Sequence, residues 1–123
     1  MLSRTVNCDA TLVQVNNGAV RIKSLKVEQY SGNAPALYLQ VFNSYTPTVG
    51  VTAPDMVVRI GTKPAAQDKT QVKVVLPSCG GSQNGARFGT GLSYAVTTTP
   101  TGSTSPNAGD KPTVEVNYEN ANL

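Results

Sequence analysis

Ala36-Leu37-Tyr38-Leu39-Gln40-Val41-Phe42-Asn43 is the stretch that decides the fold class. Leu37, Leu39 and Val41 fall on one parity, Tyr38, Gln40 and Phe42 on the other; a period of two is the signature of an extended strand with two faces. Both faces carry bulk. That predicts a central strand whose second face is covered by a loop or by another subunit.

The same period recurs on either side. Upstream, Thr11 to Val15 reads as a short strand, Asn16-Asn17-Gly18 as a hairpin turn, and Ala19 to Tyr30 as the returning strand. Within the return, Val20 and Ile22 share one face with Arg21 and Lys23 opposite, whereas Leu25 and Val27 sit on the other parity. A one-residue phase flip near Lys23-Ser24 predicts a β-bulge or bend, common where a strand passes from one sheet to another. Ser31 to Pro35 is a turn. Downstream, Ser44 to Pro54 reads as an ordered loop and Asp55 to Gly61 as a strand with Met56, Val58 and Ile60 on one face. Thr70 to Pro77 is a strand with Val72, Val74 and Leu76 inward, and Ser78 to Gly85 is a glycine-rich loop. A strand from Phe88 within Ala86 to Thr99, an exposed loop from Pro100 to Pro112, a last strand from Thr113 to Glu119 and a loose tail over residues 120–123 complete the chain.

This reading predicts one domain over residues 1–123, an antiparallel β-sandwich of about seven to eight strands. A jelly roll needs eight, and the chain supplies them if residues 1–8 contribute a first strand rather than an arm. The length of 123 residues permits one core, and the low charged fraction of 14% with abundant β-branched residues excludes both a helical bundle and a disordered chain. The first residues contain no apolar run of a secretory signal, and no stretch reaches the roughly 18 apolar residues of a membrane helix. The expectation is a protein made in the cytoplasm that stays soluble until it meets its partner.

Histidine is absent, which removes the usual general base, the commonest metal ligand and the Ser-His-Asp triad. Ser24 between Lys23 and Lys26 reads as charged strand surface rather than a Ser-Lys nucleophile. Glu115 and Glu119 share a parity on one strand, about 13 Å apart at the usual rise, and read as a solvated face rather than a glycosidase pair. Asp68 and Asp110 lack the ligand spacing of a calcium loop, and Gly80 to Gly91 lacks the lysine and helix of a phosphate loop. Cys8 and Cys79 could pair, although free thiols are the plainer reading, and there is no CxxC for zinc. No catalytic residue, cofactor or metal is expected.

Two groups of residues stand out as contacts. Arg21, Lys23 and Lys26 form a basic stripe; Tyr38, Phe42 and Tyr45 supply aromatic surface. With Tyr30, Tyr38 and Phe42 nearby in sequence, the basic stripe could make a cation-and-aromatic face for single-stranded nucleic acid. However, Arg21 and Lys23 alternate with Val20 and Ile22, as any half-buried strand requires, and a basic face can equally dock on an acidic protein shell.

Tyr38-Leu39-Gln40-Val41-Phe42-Asn43, Pro47-Thr48-Val49-Gly50, Thr52-Ala53-Pro54, Arg59-Ile60, Gly91 to Thr99 and the closing Val114-Glu115-Val116-Asn117-Tyr118 together resemble small bacteriophage virion proteins of the capsid decoration, or cement, type. The resemblance runs from Tyr38 to Tyr118 and implies a β-sandwich or jelly-roll protein present in many copies on a virion. It further implies the major capsid protein as partner and a homo-oligomer, trimer favoured and dimer possible, with no membrane and no direct nucleic acid contact. The alternative within the resemblance is a tail, neck or fibre-associated module that binds a receptor or glycan through the loops Ser44 to Pro54 and Pro100 to Pro112.

Overall fold

The computed structural model describes residues 1–32, 35–76 and 86–121. The loop Ser78 to Gly85 lies outside the described residues, and so do Cys79 and any pairing of it with Cys8. Among the described residues nine strands are formed: β1 (Leu2–Thr5), β2 (Val13–Asn16), β3 (Val20–Gln29), β4 (Leu37–Phe42), β5 (Met56–Ile60), β6 (Thr70–Val75), β7 (Ala86–Phe88), β8 (Leu92–Thr97) and β9 (Thr113–Asn120). One sheet has the order β1-β9-β3-β6, with β7 also on β3; the other runs β2-β8-β4-β5. All described pairings are antiparallel.

β6 and β7 occupy one lane. Val75 stands opposite Ser24 and Ala86 opposite Ile22, so the two follow one another along the same edge of β3. Counted this way there are eight lanes, and the pairs nest: β1 with β9, β2 with β8, β3 with β6 and β7, β4 with β5. That is the eight-strand, two-sheet connectivity of a jelly roll.

Alternation places the core. Val20, Ile22, Leu25 and Val27 of β3 and Val114 and Val116 of β9 meet Leu37, Leu39 and Val41 of β4 and Leu92, Tyr94 and Val96 of β8, all essentially buried. Each such aliphatic side chain contributes about 1.5–3 kcal/mol by burial. The parity flip of β3 is a bulge. Ile22 pairs Tyr118 and Ser24 pairs Asn117, leaving Lys23 as the extra residue. Contrary to the association with a change of sheet, β3 stays in one sheet throughout. The bulge falls where its edge partner changes from β7 to β6, and the Lys23 carbonyl accepts the Leu76 amide there.

Three local expectations are corrected. Asn16-Asn17-Gly18 does not close a hairpin, because β2 pairs with β8 and β3 with β9. The turn is a corner between sheets: Gly18 has φ 137° but Asn17 is not in the positive-φ region that a type I′ turn demands at both central residues. Second, the stretch from Phe88 to Thr99 is not one strand. It leaves the first sheet after Phe88 and enters the second at Leu92, turning through Gly89-Thr90-Gly91. Third, the C-terminal tail is held as far as Ala121, which is buried and donates its amide to the Ala19 carbonyl.

The outer face of the second sheet is covered by this chain's own loops. Gln40, Phe42, Ser93, Ala95 and Thr97 point away from the core yet are fully buried. The segment expected as an exposed loop folds down, and the Gln40 amide Nε2 donates to Thr97 Oγ1 at 2.7 Å and to the Gly102 carbonyl at 3.0 Å. The Ser44–Pro54 loop joins it from the other side. Ser93 Oγ donates to the Ser44 carbonyl, and a Cβ on Gly50, where φ is 88°, would lie 2.8 Å from that of Ser103.

Candidate functional surface

Among the described residues, the outer face of the first sheet is the open one. Register sets its residues in rows across the strands. One row reads Arg4 (β1), Glu115 (β9), Lys26 (β3) and Lys73 (β6). Another reads Glu119 (β9), Arg21 (β3) and Arg87 (β7). Lys23 sits at the bulge, Glu28 further along β3, and Lys69 at the rim beside the start of β6.

Ion pairs lace part of this face. Glu115 is shared by Arg4 at 3.2 Å and Lys26 at 3.0 Å, and Lys23 reaches Glu119 at 3.2 Å. Glu28, only 6% exposed, is bonded by the Lys69 ammonium, with Lys26 at 3.9 Å. The hydrogen bond from Lys69 holds the Glu28 carboxyl below its ordinary pKa, and the same bond raises that of Lys69. Lys69 also lies 5.9 Å from the centre of the Tyr30 ring.

The charge is unevenly distributed. Seven of the ten cations lie on or at the rim of this face against three carboxylates, an excess of four. Elsewhere Arg59, Lys63 and Lys111 face Asp9, Asp55, Asp68 and Asp110, an excess of one negative charge. The whole surplus of the +3 chain therefore belongs to one side of one sheet.

Of the residues singled out in the sequence, Arg21, Lys23 and Lys26 are brought together on this face, half-buried among carboxylates. Tyr38, Phe42 and Tyr45 are not with them. Tyr38 stands on the outer side of the other sheet, across from Arg59 and Thr97. Phe42 is fully buried on that side and is not a surface contact; strand parity pointed it outward, but the folded-down loops enclose that face. Tyr45 lies in the covering loop, where its carbonyl accepts from Gln14. Of the aromatics expected beside the basic stripe, Tyr38 and Phe42 lie on the opposite side of the sandwich, whereas Tyr30 stays at the rim of the basic face with the Lys69 ammonium 5.9 Å from its ring. Sequence reasoning missed Arg4, Lys73 and Arg87. Each alternates with inward residues on its own strand, a signal present in the sequence, but only the register sets them beside β3 and β9.

Away from this face, Cys8 is buried, and burial followed by the nearby Asp9 charge pushes its thiol up to about 12. Lys111 donates to Asp9 at 2.9 Å and holds that carboxyl below its usual range. Among the described residues no cavity opens, no group of three or more potential metal ligands converges, and no helix is long and apolar enough to cross a membrane. No protein-family model, no curated protein and no solved structure matches the chain.

Proposed function

We propose that this chain is a bacteriophage capsid decoration protein, a non-enzymatic module that binds the outside of the assembled capsid and stabilises it. The observation that carries the reading is the concentration of the chain's entire positive surplus on one broad, open sheet face of a jelly roll. Jelly rolls serve capsid proteins, lectins and cupins alike, so the fold admits this role without selecting it. The sequence resemblance from Tyr38 to Tyr118 points the same way.

The partner is the major capsid protein, and the mechanism is linkage. A ligand that binds the assembled shell and not its dissociated subunits shifts the equilibrium toward the shell. Each copy contributes little, and a homo-oligomer, trimer favoured over dimer, multiplies the contacts through avidity. Complementary charge raises the encounter rate and sets the register of docking.

The test is to add the purified chain to purified, expanded capsids, count bound copies by electron microscopy, and follow shell disassembly on heating. Saturation at copies on the order of hundreds with delayed disassembly supports the reading. Labelling of intact tailed particles that shows a few copies confined to the tail would favour the receptor-binding alternative, and absence from both capsids and intact particles would refute both.

A further inference from the structure

The margin of the first sheet where β3 meets β6 and β7 breaks a rule of strand pairing. Arg21 stands directly opposite Arg87, and Lys26 directly opposite Lys73. Directly opposed residues on one face have Cβ atoms about 4.5–5.5 Å apart, and like charges there repel. The carboxylates of β9 do not relieve both sides. Glu119 is engaged by Lys23, and Glu115 is shared between Lys26 and Arg4. Among the described residues, Lys73 and Arg87 take part in no ion pair. Local rules are most often broken where function requires it.

From this register we infer that the β3–β6/β7 margin is the docking surface for a carboxylate-rich protein surface, held through Arg21, Arg87, Lys26 and Lys73. The inference rests on the decoration reading and names its contact. A cation on an edge strand also guards against edge-to-edge aggregation, which would account for a cation at Lys73 and at Arg87, both on the edge lane. It does not call for setting each of them directly opposite a cation of β3, where the pair repels. Two features select a folded protein over a nucleic acid. Glu28, Glu115 and Glu119 stand among the cations, where a continuous chain of phosphates crossing the face would meet them, while discrete carboxylates can interdigitate. Val75, 69% exposed, lies on the same face two residues from Lys73 and offers an apolar contact beside the charges.

The test is the double substitution Lys73→Gln with Arg87→Gln, beside a control of Arg59→Gln with Lys63→Gln off the face. Binding to purified, expanded capsids is measured at several salt concentrations, together with thermal melting. The double variant should bind about tenfold more weakly or worse with a shallower salt dependence, and melt no earlier than the parent because a repulsion has been removed. The control should bind as the parent does. Should the double variant melt early, Lys73→Gln alone carries the same comparison. If the parent binds capsids and the double variant binds equally well, the contact lies elsewhere and the decoration reading survives. If the parent does not bind, both fall. Tighter binding of duplex DNA than of capsids at equal salt would overturn the carboxylate partner.

Discussion

The phenol of Tyr94, fully buried in the second sheet, lies 2.7 Å from the hydroxyl of Thr5 and 3.1 Å from that of Ser3, both on β1 of the first. The largest buried side chain thus ties the N-terminal edge strand across the sandwich through its one polar atom, as a buried tyrosine requires. Tyr94→Phe leaves the two hydroxyls without this partner and should lower stability by about 1–2 kcal/mol. Urea unfolding checks it. Because β1 is held from one side only by β9, its amides should also exchange faster in the variant than those of β3.

Alkaline pH should destabilise the fold. Burial pushes Cys8 from 9.0 up to about 12 and raises Tyr94 as well. The folded chain therefore keeps protons that the unfolded chain releases. Stability is complete below the ordinary thiol pKa and falls as pH rises from 9.0 toward about 12. Urea midpoints compared at about pH 8 and about pH 10.5 should show the fall, and Cys8→Ala should reduce its slope. An unchanged slope would show that the thiol does not contribute.

In acid the sign reverses. Glu28 and Asp9 have lowered pKa values, chiefly through Lys69 and Lys111, so their contribution is present above the ordinary carboxyl range and is lost as pH falls through the lowered values. Lys69→Met removes the first partner of Glu28. It should lower stability at neutral pH and shrink the difference between neutral and about pH 3. Unfolding curves at the two pH values measure both effects.

Gly91 and Gly61 should respond oppositely to alanine. A Cβ at Gly91 would lie 2.7 Å from the Tyr45 amide nitrogen and 3.0 Å from the Ser44 carbonyl carbon, backbone that cannot swing aside. Gly91→Ala should cost about 1–3 kcal/mol. At Gly61 nothing lies within 4 Å, and Gly61→Ala should stay within about 0.5 kcal/mol of the parent or gain slightly. Thermal melting of the pair is the check.

Deletions probe the bulge. Removing Lys23 leaves Val20, Ile22, Leu25 and Val27 on one parity, so the core survives and the losses are the local Leu76 bond and the surface ion pair with Glu119. Folding should persist at a cost of about 1–2 kcal/mol. Removing Lys26 instead forces either Leu25 or Val27 out of the core, because a one-residue slip exchanges the faces of a strand. That deletion should abolish the cooperative transition seen by circular dichroism.

The alternation that made the sheets legible is local. Successive side chains of an extended backbone point to opposite sides whatever the strand pairs with. Hence the two-faced Leu37–Phe42 strand, the inward set Val114 and Val116, and even the parity flip at Lys23 could be read directly from the residues. Partner choice is not local. The same Asn16-Asn17-Gly18 that signals a hairpin serves here as a corner between sheets, because burying β2 against β8 outweighs pairing it with its neighbour in sequence. Likewise Arg87 and Lys73 are ordinary outward cations on their own strands, and only the long-range register sets them against Arg21 and Lys26. Sequence alone determined the all-β class and which residues face inward. The tertiary structure decided which strands meet, which outer face the loops enclose, and where the positive surplus collects, since these depend on contacts between residues far apart in the chain.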